Sequence, residues 1–173
     1  MHPIAEKVRS QFPQAFIESR ETLGELSIQI RKEEIVPVCR FLHDDPDLSF
    51  DHITDICSVD FPEDQERYEV VYHFYSILKN HRVRIKARVD EEDCQIESVC
   101  EIWKGANFLE RETYDMMGIE FRNHPDHRRI LMTDDFEGWP LRKDFPTEGK
   151  GWRNSFDEFL PRPDEEGEEG LGN

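Results

Sequence analysis

Residues 110–115 carry four ionisable side chains, Glu110, Arg111, Glu112 and Asp115, with Tyr114 among them. Paired carboxylates do acid–base work when a cleft gives them different environments. Each residue of a helix turns by about 100°, so one helix alone does not build both walls of such a cleft. In helical projection, Arg111 and Asp115 lie four apart on the face away from an apolar stripe. That spacing predicts an ion pair worth roughly 0.2–0.5 kcal/mol. Phe108 falls on the same outer face, and Glu110 and Tyr114 fall on a flank with Trp103 and Asn107. Three readings stay open: a solvated charged face, half of a catalytic pair, or a contact surface. An aromatic ringed by charge fits the last, because interface centres are apolar and their rims polar.

Other chemistry is thinner. His124-Pro125-Asp126-His127 offers metal-ligand types, but the spacing fits no common zinc motif. Cys39, Cys57, Cys94 and Cys100 form no C-x-x-C pair, which predicts reduced, partly buried thiols. There is no G-x-G-x-x-G or phosphate-binding G-x-x-x-x-G-K-[ST] run. No serine or cysteine stands in a recognisable nucleophile context. Arg82, Arg84, Lys86 and Arg88 alternate with Val83, Ile85, Ala87 and Val89. They make a stripe of four cations that suits a solvated sheet face, an acidic partner, or the protein's own acidic arm.

The net charge of −17 and pI near 4.8 argue against nucleic-acid binding, which needs clustered cations. They argue equally against direct attraction to an anionic membrane. No apolar run approaches the roughly 20 residues of a membrane span, and the N-terminus lacks a signal-peptide core. The expectation is a cytoplasmic protein that meets a membrane only through a partner.

The elements that must position these residues read as an α+β domain. A short helix is predicted over 3–11, a half-buried strand over 25–30 and a helix over about 32–45 with Ile35, Cys39 and Leu42 inward. Residues 53–61 read as a strand with Ile53, Asp55, Cys57, Val59 and Phe61 on one face and Ile56 opposite. Residues 68–78 are apolar on both faces, as in a central strand. They lead through a loop at 79–81 into the cationic strand. Ser98 and Glu101 have capping-box spacing, which predicts a helix to about Met117, split near Gly105 and ended by Gly118. The organisation expected is a domain over 1–118 with a mostly antiparallel sheet of about four strands packed with helices. An extended partner-binding arm over 119–160 and an acidic, disordered tail over 161–173 follow.

The run ERETYDMMGIEFRNHPDHRRIL, residues 110–131, resembles a block of the 30-kilodalton subunit of respiratory complex I. In bacterial NADH:quinone oxidoreductase that family forms the C subunit. The resemblance rests on Glu110-Arg111-Glu112, Asp115, Met116-Met117, His124, Arg128 and Ile130-Leu131. It extends to residues 134–146, ITDICSVDFP and YEVVYHFYSILKNHRVRIKARV, so about 50–146 in all. Met117 stands where the family more often has Phe, and Trp139 where His is common. The resemblance implies a non-catalytic structural subunit of the peripheral arm, with no cofactor of its own. FMN, iron–sulfur clusters and quinone would belong to partner subunits. Docking would be on the 49-kilodalton (D) subunit, with contacts to the iron–sulfur subunits, at the cytoplasmic side of the bacterial inner membrane. A related subunit of a membrane-bound hydrogenase-type complex, or a free-standing interaction module, is the alternative. On this reading Phe108, Glu110, Arg111, Glu112 and Asp115 orient the helix against the arm or a partner. His124, Arg128, Arg129, Arg142 and Lys143 anchor the arm by charge-assisted hydrogen bonds.

Overall fold

The computed structural model describes residues 2–147. Its elements are α1 (Pro3–Gln11), β1 (Phe16–Thr22), β2 (Glu25–Ile30), α2 (Ile35–Asp44), β3 (His52–Asp60), β4 (Tyr68–Ser76), β5 (His81–Val89), β6 (Gln95–Glu97), α3 (Ala106–Met117) and β7 (Glu120–Arg122). A 3-10 turn, Lys32–Glu34, leads into α2. The acidic tail over 161–173, and the arm beyond 147, lie outside the described residues.

The sheet runs in the order β1-β2-β5-β4-β3. Three of its pairings are antiparallel and one, β2 with β5, is parallel. β1 adds a fifth strand to those read from the sequence. Alternation puts Leu26, Ile28 and Ile30 of β2 and Val83, Ile85, Ala87 and Val89 of β5 on the buried face. They join Ile4 and Val8 of α1, Ile35, Val38, Cys39 and Leu42 of α2, and Ala106 and Met116 of α3 in one core. The cationic stripe occupies the other face and is met by local acids. Arg82 and Arg84 pair with Glu25, Lys86 with Glu69, and Arg88 with Glu69 and Asp64.

Three local expectations change. β3 bulges between Ile53 and Asp55. Strict alternation therefore breaks, and Ile53 and Ile56 are both buried while Val59 is exposed. Ile77 and Leu78 leave β4 for an exposed turn, and His81 already belongs to β5. The Ser98–Glu101 capping box does not form. Glu101 is exposed beside Arg40, and α3 begins only at Ala106, after Gly105.

Small parallel strands β6 and β7 close the domain beside α3. Ile96, Ile119 and Phe121 of this region are buried in the common core, so the first residues after Gly118 pack as part of the domain.

Candidate functional site

α3 ends where Gly118 turns left-handed at φ 75°, its N–H donating to the Tyr114 carbonyl at 2.7 Å. The turn needs glycine twice over. A left-handed backbone disfavours a Cβ, and a Cβ here would stand 2.5 Å from the Trp139 ring. The close approach brings the segment after β7 back along α3, where the charged residues of the helix meet it.

Asp115 is fully buried under this segment. One carboxylate oxygen accepts from the Arg129 guanidinium at 2.7 Å. The other accepts the backbone N–H groups of Ile130, Leu131 and Met132 at 3.0, 2.7 and 2.8 Å. Burial opposes its ionisation, but these four donors outweigh that and hold its pKa below the usual carboxylate range. Arg129 also donates to the Gly138 carbonyl and lies over the Trp139 ring, 4.5 Å from its centroid. The expected Arg111–Asp115 pair does not form, because the arm comes between helix and solvent and supplies other partners. Arg111 donates to the carbonyls of Arg128 and Arg129 at 3.0 and 3.1 Å and lies 3.5 Å from Asp126.

Glu110 is also fully buried, on the opposite side of the helix. It accepts from Val99 N–H at 2.7 Å, Ser98 Oγ at 2.6 Å and Cys100 Sγ at 3.2 Å. The turn that follows β6 is thus fixed by a carboxyl from inside the helix, in place of a capping box. Burial pushes its pKa up to about 7, against the pull of the three donors. His124 Nε2 lies 3.8 Å away. That nitrogen donates to the Asn107 carbonyl at 3.1 Å, while Nδ1 accepts from Asp126 N–H at 3.0 Å. These partners require the neutral Nε2–H tautomer, and burial lowers the His124 pKa accordingly.

The far end of the described arm is tied down by another buried pair. Arg67 makes two bonds to Asp60, at 2.8 and 2.9 Å, and reaches Glu91 at 2.6 Å and Asp144 at 3.0 Å. Asp60 also accepts the Lys143 backbone N–H at 2.7 Å. Arg142 donates to the Met117 carbonyl at 2.7 Å and sits over Tyr68 and Trp139.

Of the residues singled out in the sequence, Glu110, Arg111, Asp115, His124, Arg129 and Arg142 meet in this one helix–arm junction. Lys143 joins it through its backbone. The Arg128 side chain is exposed and pairs with Asp126 in its own turn. Phe108 is 61% exposed, and Glu112 is exposed with no hydrogen bond or ion pair among the described residues. Asp60, Arg67, Ser98 and Trp139 were not singled out as site residues. Asp60 and Arg67 flank a polar turn, and only their mutual burial reveals them.

Residues 28–151 match the family described as "Respiratory-chain NADH dehydrogenase, 30 Kd subunit". The protein is 49% identical over 143 residues to the C subunit of the NADH-quinone oxidoreductase of Geotalea uraniireducens, with 83% of its own length and 86% of that relative covered. It is 46% identical over 144 residues to the C subunit of the Geobacter sulfurreducens enzyme, with 83% and 88% covered. Its fold is similar to a solved trypsin-resistant fragment of Nqo5, with TM-score 0.63 and 29% identity over 71% of this protein and 96% of that fragment. A component of an archaeal respiratory membrane complex, the membrane-bound sulfane sulfur reductase, shares the fold at TM-score 0.69 and 23% identity, with 83% and 84% covered. With more than two thirds of its length matched to such relatives, the protein belongs to the family of 30-kilodalton, or C, subunits of respiratory NADH:quinone oxidoreductase.

Proposed function

We propose that this protein is a non-catalytic structural subunit of the peripheral arm of a proton-translocating NADH:quinone oxidoreductase. It docks on the 49-kilodalton (D) subunit and contacts the iron–sulfur subunits, supporting electron transfer from NADH to quinone. FMN, the iron–sulfur clusters and quinone reside in partner subunits. The protein sits at the cytoplasmic side of the bacterial inner membrane through the complex. Among the described residues, no helix is long and apolar enough to cross a membrane.

The observation that carries this reading is an inverted polarity at the helix–arm junction. Asp115, Glu110 and Arg129 point inward and are engaged, while Phe108, Leu131 and Leu141 are 61%, 57% and 56% exposed. Apolar side chains turned out of a charged junction suit the centre of a protein interface. Glu110 has a pKa suited to acid–base work, but its carboxyl is sealed from solvent, out of reach of a substrate. The test is native mass spectrometry of the complex released from membranes in mild detergent through a tag on this protein. Co-release with the 49-kilodalton, flavin-bearing and iron–sulfur subunits, with NADH-dependent quinone reduction, supports the proposal. Release of the tagged protein alone, or with a nickel-bearing subunit, overturns it.

A further inference from the structure

Two clusters of metal-ligand side chains stand out, and they differ in whether their donor atoms are spoken for. Cys100, Glu110 and His124 converge within 4.8 Å of one another, but the Glu110 carboxyl is engaged by three donors and both His124 ring nitrogens are committed. That cluster is a structural lock. Asp55, Cys57 and His73 also converge within 4.8 Å, on the face of the sheet opposite the core. Asp55 lies directly across from His73 in the β3–β4 ladder, and Cys57 is two residues on, on the same face. Among the described residues, none of these three side chains makes a hydrogen bond or ion pair. The bulge at Thr54 sets this register and turns Ile53 inward, leaving Asp55 on the open side.

We propose that Asp55, Cys57 and His73 form a three-ligand surface site for a borderline-soft divalent cation, of which zinc is the type. Carboxylate, thiolate and imidazole are the three donors zinc prefers. In a tetrahedral site with bonds of roughly 2.0–2.3 Å, neighbouring ligand atoms stand about 3.3–3.8 Å apart. Small side-chain rotations therefore close the trio, without backbone movement. The fourth position is left to water. A cavity of about 360 Å³, lined by Thr54, Tyr75, Arg82 and Arg84 among others, borders the His73 side of the trio, while Asp55 and Cys57 are exposed directly. Arg84 and Lys86, the next residues across the sheet from His73 and Val71, are the nearest opposing charges. Each is paired with a carboxylate at 2.8 Å, Arg84 with Glu25 and Lys86 with Glu69, which reduces their repulsion of a cation. On binding, Cys57 releases its thiol proton to solvent and the thiolate takes the metal. The site is independent of the docking reading.

The test titrates the purified full-length protein, under reducing conditions, with cobalt(II) and follows the thiolate-to-cobalt charge-transfer band. One equivalent should develop the band, and zinc should displace it. Cys57→Ser should abolish it. His73→Gln and Asp55→Asn should each weaken binding at least about tenfold, a loss that even outer partners of a metal site can cause. Circular dichroism checks that these surface variants remain folded. Absence of the band overturns the proposal. So does a band that survives Cys57→Ser but is lost with Cys94→Ser, or weak uptake indifferent to all three substitutions.

Discussion

Glu110 and Asp115 leave the same helix five residues apart, both without solvent exposure, and their acidities move in opposite directions. Asp115 faces a guanidinium and three backbone N–H groups from the arm. Glu110 faces a hydroxyl, a thiol and one N–H from the turn before the helix. Five residues are about 140° of helical rotation, enough to send one carboxyl to the arm and the other to the domain. The lesson is that a buried carboxylate takes its charge state from its donors. One side of α3 is held by an ion-paired junction and the other by a carboxyl that meets uncharged donors.

The comparison breaks most visibly at Asp115. Replacing it with Ala strands Arg129 and three backbone donors, and loss of one partner of a buried pair costs about 3–5 kcal/mol. Urea unfolding should report a loss of that order, and hydrogen exchange should rise across residues 129–132. Unchanged protection there would mean that the arm is held by other contacts.

Glu110 sharpens the contrast through pH. Its folded pKa of about 7 exceeds the ordinary 4.5, so protonation favours the folded protein. Its contribution is fully present below about 4.5 and is lost as pH rises through about 7, a change on the order of 3 kcal/mol. His124 and His127, whose pKa values are lowered chiefly by burial, act the other way and lose stability as pH falls. Glu110→Gln isolates the carboxyl. Relative to that variant, the wild-type protein should lose stability between pH 5 and pH 7.5 in thermal melts. A constant difference would show that Glu110 does not titrate there.

A smaller effect is expected at the hinge between the two sides. Gly118→Ala puts a Cβ into a left-handed backbone, at about 1–2 kcal/mol, and against Trp139. Exchange should increase around residues 139–142 while the β4–β5 core stays protected. Glu112→Ala should be the quietest change, within about 0.5 kcal/mol for the isolated protein, because its side chain is exposed and pairs with none of the described residues.

Much of this was legible in the sequence. Alternation marked β2 and β5, doubly apolar β4 announced a central strand, and Gly118 ended the helix where its spacing said. What escaped was set by partners distant along the polypeptide. β1 reads FIESRET, with no alternation to mark it, and is held by the β2 ladder. The parallel β2–β5 pairing leaves no local pattern. Helical projection placed Asp115 on an outer face because it could not see residues 129–132 covering it. It placed Glu110 on a flank because Ser98, Val99 and Cys100 reach it across a turn.

The most direct test of the central claim, that charges lock the junction inward so that its apolar side chains face a partner, is the double variant Phe108→Glu with Leu131→Glu. Both positions are exposed, so the isolated protein should melt within a few degrees of wild type. Co-expressed with the 49-kilodalton subunit, the variant should fail to co-purify with it. A variant that folds and still assembles at the wild-type yield would contradict the account.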